Sequence, residues 1–308
     1  MKTKLTYGPV PSRRLGRSLG VDLIPLKICT YDCIYCQLGR TTNKTTARKE
    51  YFPVNEILQQ TKQRLTEISR PDYITLAGSG EPILHSRIDE IIYGIKEFTD
   101  IPVAVLTNGS LFWMDEIRES ILEADLVIPS LDAGDEKIFR HVNRPHRDIS
   151  FKKLVDGLCS LRKSYSGQIW LEVFLIDGVT AIESEVLKIK TCVDRIAPEH
   201  IQLNTAVRTP AESFVEAVTK EKMEKIAGMF GSNCEIIADF SGVHDLDEFT
   251  SNKKDVFELL KRRPCSIEDI SDGLSIHRNE TIKYVEELLD RNLIGVERRD
   301  DRLLYFAK

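Results

Sequence analysis

Short apolar segments alternate with longer amphipathic segments along most of this 308-residue chain, and this alternation restricts its fold more than any other feature. The apolar segments have the length of buried strands, and the segments between them carry apolar residues at helical spacing. Strands that alternate with helices form parallel sheets through right-handed crossovers, so the sequence predicts an α/β fold. A partial (β/α)6 barrel and a doubly wound open sheet both agree with this pattern. We predict strands at 21–26, 73–77, 102–106, 126–130, 169–175 and 201–203, and helices at 54–68, 86–97, 112–123, 150–163, 183–195 and 213–229.

Three cysteines follow the first predicted strand within eight residues, in the spacing C-x-x-x-C-x-x-C. They are Cys29, Cys33 and Cys36, and an aromatic residue, Tyr35, precedes the last of them. Thiolates are soft ligands that suit iron–sulfur clusters. Three thiolates hold a [4Fe–4S] cluster and leave one iron open for a substrate or cosubstrate, which indicates chemistry rather than electron storage.

A zinc site and a disulfide framework both fit these cysteines less well than a cluster does. A structural zinc site needs a fourth ligand at close spacing, and the next cysteine is far away. A disulfide framework is typical of small secreted chains, whereas this chain is long and has an odd number of cysteines, seven. The remaining cysteines are too scattered to predict a second cluster: Cys159, Cys192, Cys234 and Cys265.

Polar residues lie within or directly after the later predicted strands. Ligands of parallel sheets bind at the carboxyl ends of the strands, so these residues are candidates for one site. Short polar side chains at strand ends also cap the following helix, so a purely structural role stays open for each of them. A carboxylate inside an apolar strand needs a partner, either a ligand hydroxyl or a core arginine. The candidates are the segment Gly78-Ser79-Gly80-Glu81-Pro82, Thr107, Asn108, Ser130, Asp132, the in-strand Glu172, and Asn204.

The cysteine motif on the loop after a first strand resembles that of the radical S-adenosylmethionine (radical SAM) enzymes. The segment after the second strand is similar to the Gly-Gly-Glu-Pro motif of the same family. The resemblance implies a partial (β/α)6 barrel, a [4Fe–4S] cluster on Cys29, Cys33 and Cys36, and S-adenosylmethionine (SAM) bound to the open iron. In that family, reductive cleavage of SAM gives methionine and a 5′-deoxyadenosyl radical, which abstracts hydrogen from a substrate.

The same resemblance implies cofactor-binding roles for the polar residues at the strand ends. In this family the motif after the second strand binds the amino group of SAM, and residues after later strands contact the rest of the molecule. The candidates are Ser79, Gly80 and Glu81 for the amino group; Thr107, Asn108, Ser130 and Asp132 for the carboxylate and ribose; Glu172 for the ribose; Asn204 for the adenine; and Tyr35 of the cysteine motif.

Two further segments, 7–20 and 142–147, resemble the branch of radical SAM enzymes that builds wybutosine on tRNA. The resemblance extends over residues 5–240. Eukaryotic members of that branch carry a flavodoxin domain, which we do not find in this sequence, and no second cysteine cluster is evident. We therefore expect a separate reductant of the flavodoxin or ferredoxin type.

The region around the cysteines is basic, although the whole chain has a net charge of −5. Residues 1–50 contain ten lysines and arginines and only three acidic residues. A solvated surface accounts for such a region, and so does an anionic substrate, either RNA or a phosphorylated metabolite. Arginine suits the recognition of phosphate and carboxylate groups. The candidate substrate-binding residues are Arg13, Arg14, Arg144 and Arg208, which we expect on a positive rim over the site.

The last part of the chain follows a different pattern. Polar residues 241–252 predict a linker between a barrel domain at 1–240 and a small domain at 253–308. Three helical segments, one opened by a capping box at 266–269, and a hairpin resemble a winged-helix domain. Residues 251–308 contain twelve basic and twelve acidic residues. Because phosphate neutralisation dominates DNA affinity, this balance favours a protein contact over DNA binding. Arg298, Arg299 and Arg302 on the hairpin keep a nucleic-acid contact open.

We expect a cytoplasmic protein that does not enter membranes. No apolar run reaches membrane-spanning length, and the N-terminus lacks the apolar core of a signal peptide. Together, the cysteine motif, the family resemblance and the basic region predict a radical SAM oxidoreductase with an unidentified, anionic substrate. Two alternatives stay open: an iron–sulfur redox sensor with the winged helix as its effector, and a maturase or activase that acts on a partner protein through the C-terminal domain.

Overall fold

The computed structural model of the chain describes residues 3–12, 14–207, 210–238, 251–262, 264–274, 276–299 and 302–308. Its strands are β1 (Thr6–Ser12), β2 (Gly16–Val21), β3 (Ile28–Cys29), β4 (Asn43–Lys44), β5 (Tyr73–Leu76), β6 (Val103–Thr107), β7 (Leu126–Pro129), β8 (Gln168–Leu175), β9 (His200–Thr205), β10 (Cys234–Ile236), β11 (Ile294–Arg299) and β12 (Arg302–Ala307). Its helices are α1 (Val54–Glu67), α2 (Ile88–Lys96), α3 (Asp115–Glu119), α4 (Glu136–Val142), α5 (Phe151–Ser164), α6 (Glu183–Ile196), α7 (Lys220–Phe230), α8 (Ser251–Arg262), α9 (Ile267–Leu274) and α10 (Arg278–Asp290), with a 3-10 turn at Pro82–Leu84.

Eight of the described strands form one sheet in the order β1-β2-β5-β6-β7-β8-β9-β10. Every neighbouring pair from β2 to β10 is parallel, whereas β1 pairs antiparallel with β2. The predicted α/β class is confirmed. From β2 onward the strands of this sheet follow one another in chain order, so the sheet winds in a single direction. A doubly wound sheet reverses its order near the middle, and this arrangement therefore supports the partial barrel.

The first strand of the sheet differs from the prediction at 21–26. β2 ends at Val21, and the residues after it already lead into the cysteine loop. The sequence of β2, GRSLGV, hides a strand because it contains two glycines and few apolar residues. Gly20 is required, since a Cβ atom there would lie 2.0 Å from the ring of Tyr7 on β1. β1 is not predicted because its glycine and two prolines indicate a turn, although proline is tolerated in an edge strand.

The helices between the strands bury one face each. In α2 the buried residues keep the spacing of a single helical face, and they join the same apolar core as the strands. Two helices, α3 and α7, are shorter than predicted. The hydroxyl of Thr219 accepts a hydrogen bond from the amide of Lys222, and this cap begins α7 well after residue 213. None of the described helices is long and apolar enough to cross a membrane.

A small C-terminal unit, formed by α8, α9, α10, β11 and β12, has an apolar core of its own. β11 and β12 form an antiparallel hairpin. At the start of α9 the amide of Asp269 donates to Ser266 Oγ at 3.1 Å, and the amide of Ser266 donates to Asp269 Oδ2 at 3.0 Å, as in a capping box. The three predicted helices and the hairpin are thus present. Most of the predicted linker, 241–250, lies outside the described residues, so the domain boundaries stay predictions.

Candidate active site

The three cysteines lie on the loop that follows β2, at the carboxyl edge of the sheet. Their side chains are free thiols of intermediate exposure. Backbone hydrogen bonds hold the loop to the end of α4: the amide of Ile34 donates to Val142 O at 3.0 Å, and the amide of Asp32 donates to Asn143 O, also at 3.0 Å. The short pair β3–β4 fixes the beginning of the loop. The loop is therefore ordered by the chain itself.

Each of the three cysteine sulfurs receives a hydrogen bond from a different part of the fold. Asn108 Nδ2 donates to Cys29 Sγ at 3.6 Å, and Asn143 Nδ2 donates to Cys33 Sγ at 3.5 Å. Lys27 Nζ donates to Cys36 Sγ at 3.2 Å, although Lys27 is only 5% exposed. Donors aimed at sulfur stabilise thiolates, the form in which cysteine binds a metal. The donor set thus fits an iron–sulfur cluster.

Burial acts in the opposite direction on two of these thiols. It raises the pKa of Cys29 to about 12 and the pKa of Cys33 well above its usual value. Bound iron would offset this cost, because a coordinating thiol is deprotonated by the metal. Among the described residues no three Cys, His, Asp or Glu side chains converge as they would on a single metal ion. A [4Fe–4S] cluster binds each thiolate to a different iron, so its ligands do not converge in that way.

Glu81 lies at the centre of a hydrogen-bond network next to the cysteine loop. Thr107 Oγ1 donates to Glu81 Oε1 at 2.5 Å, and the amide of Asn108 donates to Glu81 Oε2 at 2.8 Å. Burial raises the pKa of Glu81 to about 7, and these hydrogen bonds oppose the rise. The sequence places the three residues after two neighbouring strands, and the structure brings them into contact. Their arrangement leaves a buried carboxylate without a cation beside it in the described part of the chain.

The glycine-rich segment before Glu81 is held by a carboxylate that the sequence pattern does not predict. Asp22 Oδ1 accepts a hydrogen bond from the amide of Ser79 at 2.7 Å, and Asp22 Oδ2 accepts one from Ser79 Oγ at 2.8 Å. Gly78 has φ of +121°, and a Cβ atom there would lie 1.5 Å from Asp22 Oδ1. Gly80 is also required, since its Cβ atom would lie 2.2 Å from Ile28 O. The segment is fixed against both β2 and the cysteine loop.

Asp132 forms a second buried carboxylate group on the same edge. Tyr35 donates its hydroxyl hydrogen to Asp132 Oδ2 at 2.5 Å, and Asn143 Nδ2 donates to the same atom at 2.7 Å. The Tyr35 ring stacks on Phe174 with 3.9 Å between centroids. Burial raises the pKa of Asp132 to about 6. Asn143, which also donates to Cys33, therefore links this carboxylate to the cysteine loop.

Glu172 is paired with a core arginine, one of the two partners expected for it. Arg14 Nη1 donates to Glu172 Oε2 at 2.5 Å, and Asn204 Nδ2 donates to Glu172 Oε1 at 2.9 Å. Ser130 lies beside Glu172 through a parallel backbone bridge. Arg14, which precedes β2, thus contacts Glu172 of β8, and its expected role in binding the substrate stays a prediction. The β1–β2 hairpin, which the sequence pattern does not reveal, brings Arg14 to this position.

The basic rim is partly neutralised by an acidic residue. Arg144 Nη1 and Arg40 Nη2 each lie 2.5 Å from Glu212 Oε1. Arg144 follows α4 with φ of +45°, a strained conformation for a residue other than glycine. The other two predicted rim residues, Arg13 and Arg208, lie outside the described residues.

Three residues that contact the cysteines or the glycine-rich segment are not predicted as site residues from the sequence: Asp22, Lys27 and Asn143. Lys27 and Asp22 flank the segment between β2 and the first cysteine, so their position gave a weak signal. Asn143 lies in the segment 142–147, in which the sequence singles out Arg144 as a candidate. All three act on cysteines or glycine-rich residues through contacts that no sequence spacing predicts.

Comparison with known proteins agrees with this geometry. Residues 23–190 match the model of the Radical SAM superfamily. The chain is 42% identical over 294 residues to a protein named GTPase Obg from Brachyspira hyodysenteriae, covering 94% of this chain but 43% of that protein. It is 35% identical over 297 residues to UPF0026 protein MJ1312 from Methanocaldococcus jannaschii, covering 95% of this chain and 88% of that protein. The chain thus spans less than half the length of the first relative and most of the second.

Solved structures share the fold. A radical SAM methyltransferase from Sphaerobacter thermophilus aligns with a TM-score of 0.57 at 16% identity, over 72% of this chain and 66% of that one. SuiB from Streptococcus suis, bound to S-adenosylmethionine, aligns with a TM-score of 0.55 at 12% identity, over 77% of this chain and 54% of that one. The superfamily uses a [4Fe–4S] cluster and SAM. The chain belongs to the radical SAM superfamily.

Proposed function

We propose that the protein is a radical SAM enzyme whose cluster ligands are Cys29, Cys33 and Cys36. The observation that carries this proposal is the set of three thiols on one loop, each with its own N–H donor. When bound, the cluster and SAM supply one-electron cleavage of the sulfonium and a 5′-deoxyadenosyl radical that abstracts hydrogen from substrate. The chain supplies orientation, charge and exclusion of water.

Glu81 and the glycine-rich segment before it would hold the amino group of SAM. A buried carboxylate with a raised pKa is stabilised by a hydrogen-bond donor beside it, and the amino group of SAM would provide one. Gly80 allows close approach of the backbone, and Ser79 is fixed by Asp22. The other cofactor-binding candidates follow around the same edge: Thr107, Asn108, Ser130 and Asp132 for the carboxylate and ribose, Glu172 for the ribose, Asn204 for the adenine, and Tyr35 beside the cluster.

The remaining partners follow from the same reasoning. A [4Fe–4S] site on free thiols requires a reducing compartment, so we place the enzyme in the cytoplasm with a flavodoxin or ferredoxin-type reductant. The sequence contains no G-x-x-x-x-G-K-S/T phosphate-binding loop, so the relative named GTPase Obg gives no reason to assign GTP hydrolysis here. A redox sensor has no use for the Glu81 network, which favours the enzyme over that alternative. A maturase role gains no support from the described site.

For the substrate we propose RNA, as in the wybutosine branch that the sequence resembles. Arg40 and Arg147 are 61% and 90% exposed on the loops around the cysteines. Exposed arginines on the rim would contact phosphate groups, while the buried acidic residues face the cofactor. The C-terminal unit, for which we propose a winged-helix fold, would contact a protein partner.

SAM cleavage is the first test of the proposal. Protein reconstituted anaerobically with iron and sulfide should form 5′-deoxyadenosine when SAM and dithionite are added. Cys33→Ala should abolish the product, since one of three ligands is lost. Cys159→Ala, which removes a thiol of α5 that donates to Arg195 O, should leave it unchanged. A fully loaded cluster that neither binds nor cleaves SAM would refute the proposal.

Proton release reports on Glu81 directly. Burial raises the pKa of Glu81 to about 7, and a bound amino group that donates to the carboxylate would lower it. Below pH 7, SAM binding should therefore release protons from Glu81, and affinity should rise as the pH increases through 7. Calorimetry in two buffers of different ionisation enthalpy measures the number of protons released. Glu81→Gln should bind more weakly and release fewer protons than the unaltered protein; equal release by the variant contradicts the assignment.

The charge of Lys27 should set the potential of the cluster. A buried cation beside a ligand sulfur favours the more negative, reduced state. Lys27→Met should lower the midpoint potential by about 60 mV, a tenfold change in the one-electron equilibrium. The measurement is a redox titration followed by electron paramagnetic resonance. Lys44→Met, which removes an exposed lysine that donates to Arg144 O, serves as the control. Equal potentials in both variants would rule out this role.

Salt-dependent binding tests the RNA proposal. Arg147→Glu should weaken binding of bulk tRNA and reduce the slope of log K against log salt by about 1. Arg70→Glu is the matched control, because Arg70 is 61% exposed but precedes the amino end of β5. The measurement is filter binding at several salt concentrations. If both variants lose affinity to the same extent, the binding is unspecific and the proposed rim has no part in it.

A further inference from the structure

The C-terminal unit contacts Asp22, the carboxylate that holds the segment proposed to bind SAM. The contact is made by His277, the residue that caps the amino end of α10. His277 Nε2 lies 2.6 Å from Asp22 Oδ2, and the two side chains are only 8% and 6% exposed. The same carboxylate holds the amide and hydroxyl of Ser79. Asp22 thus connects α10 to the glycine-rich segment: it contacts His277 on one side and Ser79 on the other.

The two ring nitrogens of His277 have different roles. Nδ1 accepts a hydrogen bond from the amide of Asn279 at 3.1 Å, which caps α10. Since Nδ1 is an acceptor, Nε2 carries a hydrogen and donates it to Asp22. The ring also stacks on Tyr7, with 4.6 Å between centroids and 17° between planes. The orientation of the imidazole is therefore fixed from three sides.

Other contacts hold α10 in the same place. The amide of Gly8 donates to Glu280 Oε2 at 3.4 Å, and Tyr284 donates its hydroxyl hydrogen to Glu280 Oε1 at 2.6 Å. Glu280 is buried. Gln37, which directly follows the third cysteine, lines a small cavity together with Arg278 and Ile282. The start of α10 thus lies against both the cysteine loop and the glycine-rich segment.

We propose that His277 is a positioning residue for SAM: it holds Asp22, and through Asp22 the segment 78–82, in the conformation that receives the cosubstrate. This inference rests on the proposed function and adds the C-terminal unit to the site. Coupling between two sites is reciprocal, so SAM binding would in turn stabilise the contact of α10 with β1 and Asp22. A partner that displaces or stabilises α10 would therefore change the affinity of the protein for SAM.

Two substitutions of His277 separate positioning from helix capping. His277→Gln carries an amide nitrogen at the level of Nε2 and keeps a donor for Asp22. His277→Asn reaches only the level of Nδ1, so it keeps a good cap for α10 and loses the donor. We expect the Kd of the cluster-loaded protein for SAM to rise about tenfold in the asparagine variant and less than about twofold in the glutamine variant. Equal affinities in both variants, whether weakened or unchanged, would overturn the proposal.

Hydrogen exchange supplies a readout that does not depend on the cluster. The amide of Ser79 donates to Asp22, and it should exchange about tenfold faster in metal-free His277→Asn than in metal-free His277→Gln. Thermal unfolding of both variants monitors the fold. If no form of the protein binds SAM but this difference in exchange is present, the proposed function fails while the link from α10 to the segment stands. Identical exchange of Ser79 in the two variants overturns the link itself.

Discussion

The geometry of the site depends on the contacts that the carboxylate of Asp22 makes with Ser79 and His277. A buried carboxylate is costly unless its oxygens are hydrogen-bonded, and Asp22 meets this requirement with Ser79 on one side and His277 on the other. Asp22 directly follows β2, so its position is set by the first parallel strand of the sheet. One side chain therefore fixes the glycine-rich segment relative to the sheet and to the C-terminal unit.

The surrounding hydrogen bonds extend this fixed frame to the cysteines. Asn108 illustrates how: its amide donates to Glu81, while its side chain donates to Cys29 Sγ and, at 2.7 Å, to Thr30 Oγ1. Asn143 connects Asp132 to Cys33 in the same manner. A displaced strand end would break bonds to both a carboxylate and a sulfur. The carboxylates and the thiols are consequently held at fixed positions relative to each other before any ligand binds, as preorganised sites require.

The sequence predicts which residues the parallel strands bring to one edge of the sheet. It does not predict contacts that depend on how separate parts of the chain pack together. The parallel strands set which edge the polar residues share, and on this basis the gathering of Glu81, Thr107 and Asn108 follows from strand order alone. The placement of Arg14 does not follow, because it depends on an antiparallel hairpin whose strand is rich in proline and glycine. The contact of His277 cannot be predicted from residue spacing, since its partner Asp22 belongs to the large N-terminal part of the chain and His277 to the C-terminal unit. Pairings of this kind are decided by packing between units, which periodicity does not encode.

The charged groups of this protein, which has a net charge of −5, lie at different depths. Glu81 and Asp132 are buried at the carboxyl edge, and burial raises the pKa of each, to about 7 and about 6. A positive charge or a hydrogen-bond donor beside a buried carboxylate is favourable, and for Glu81 we propose the amino group of SAM as the donor. Arg147 is exposed outside this layer, where solvent screens it from the acidic interior and leaves it available to phosphate. Opposite charges therefore lie at different depths, and the side chain of Lys27 lies beside a cysteine sulfur, where a positive charge would favour a reduced cluster.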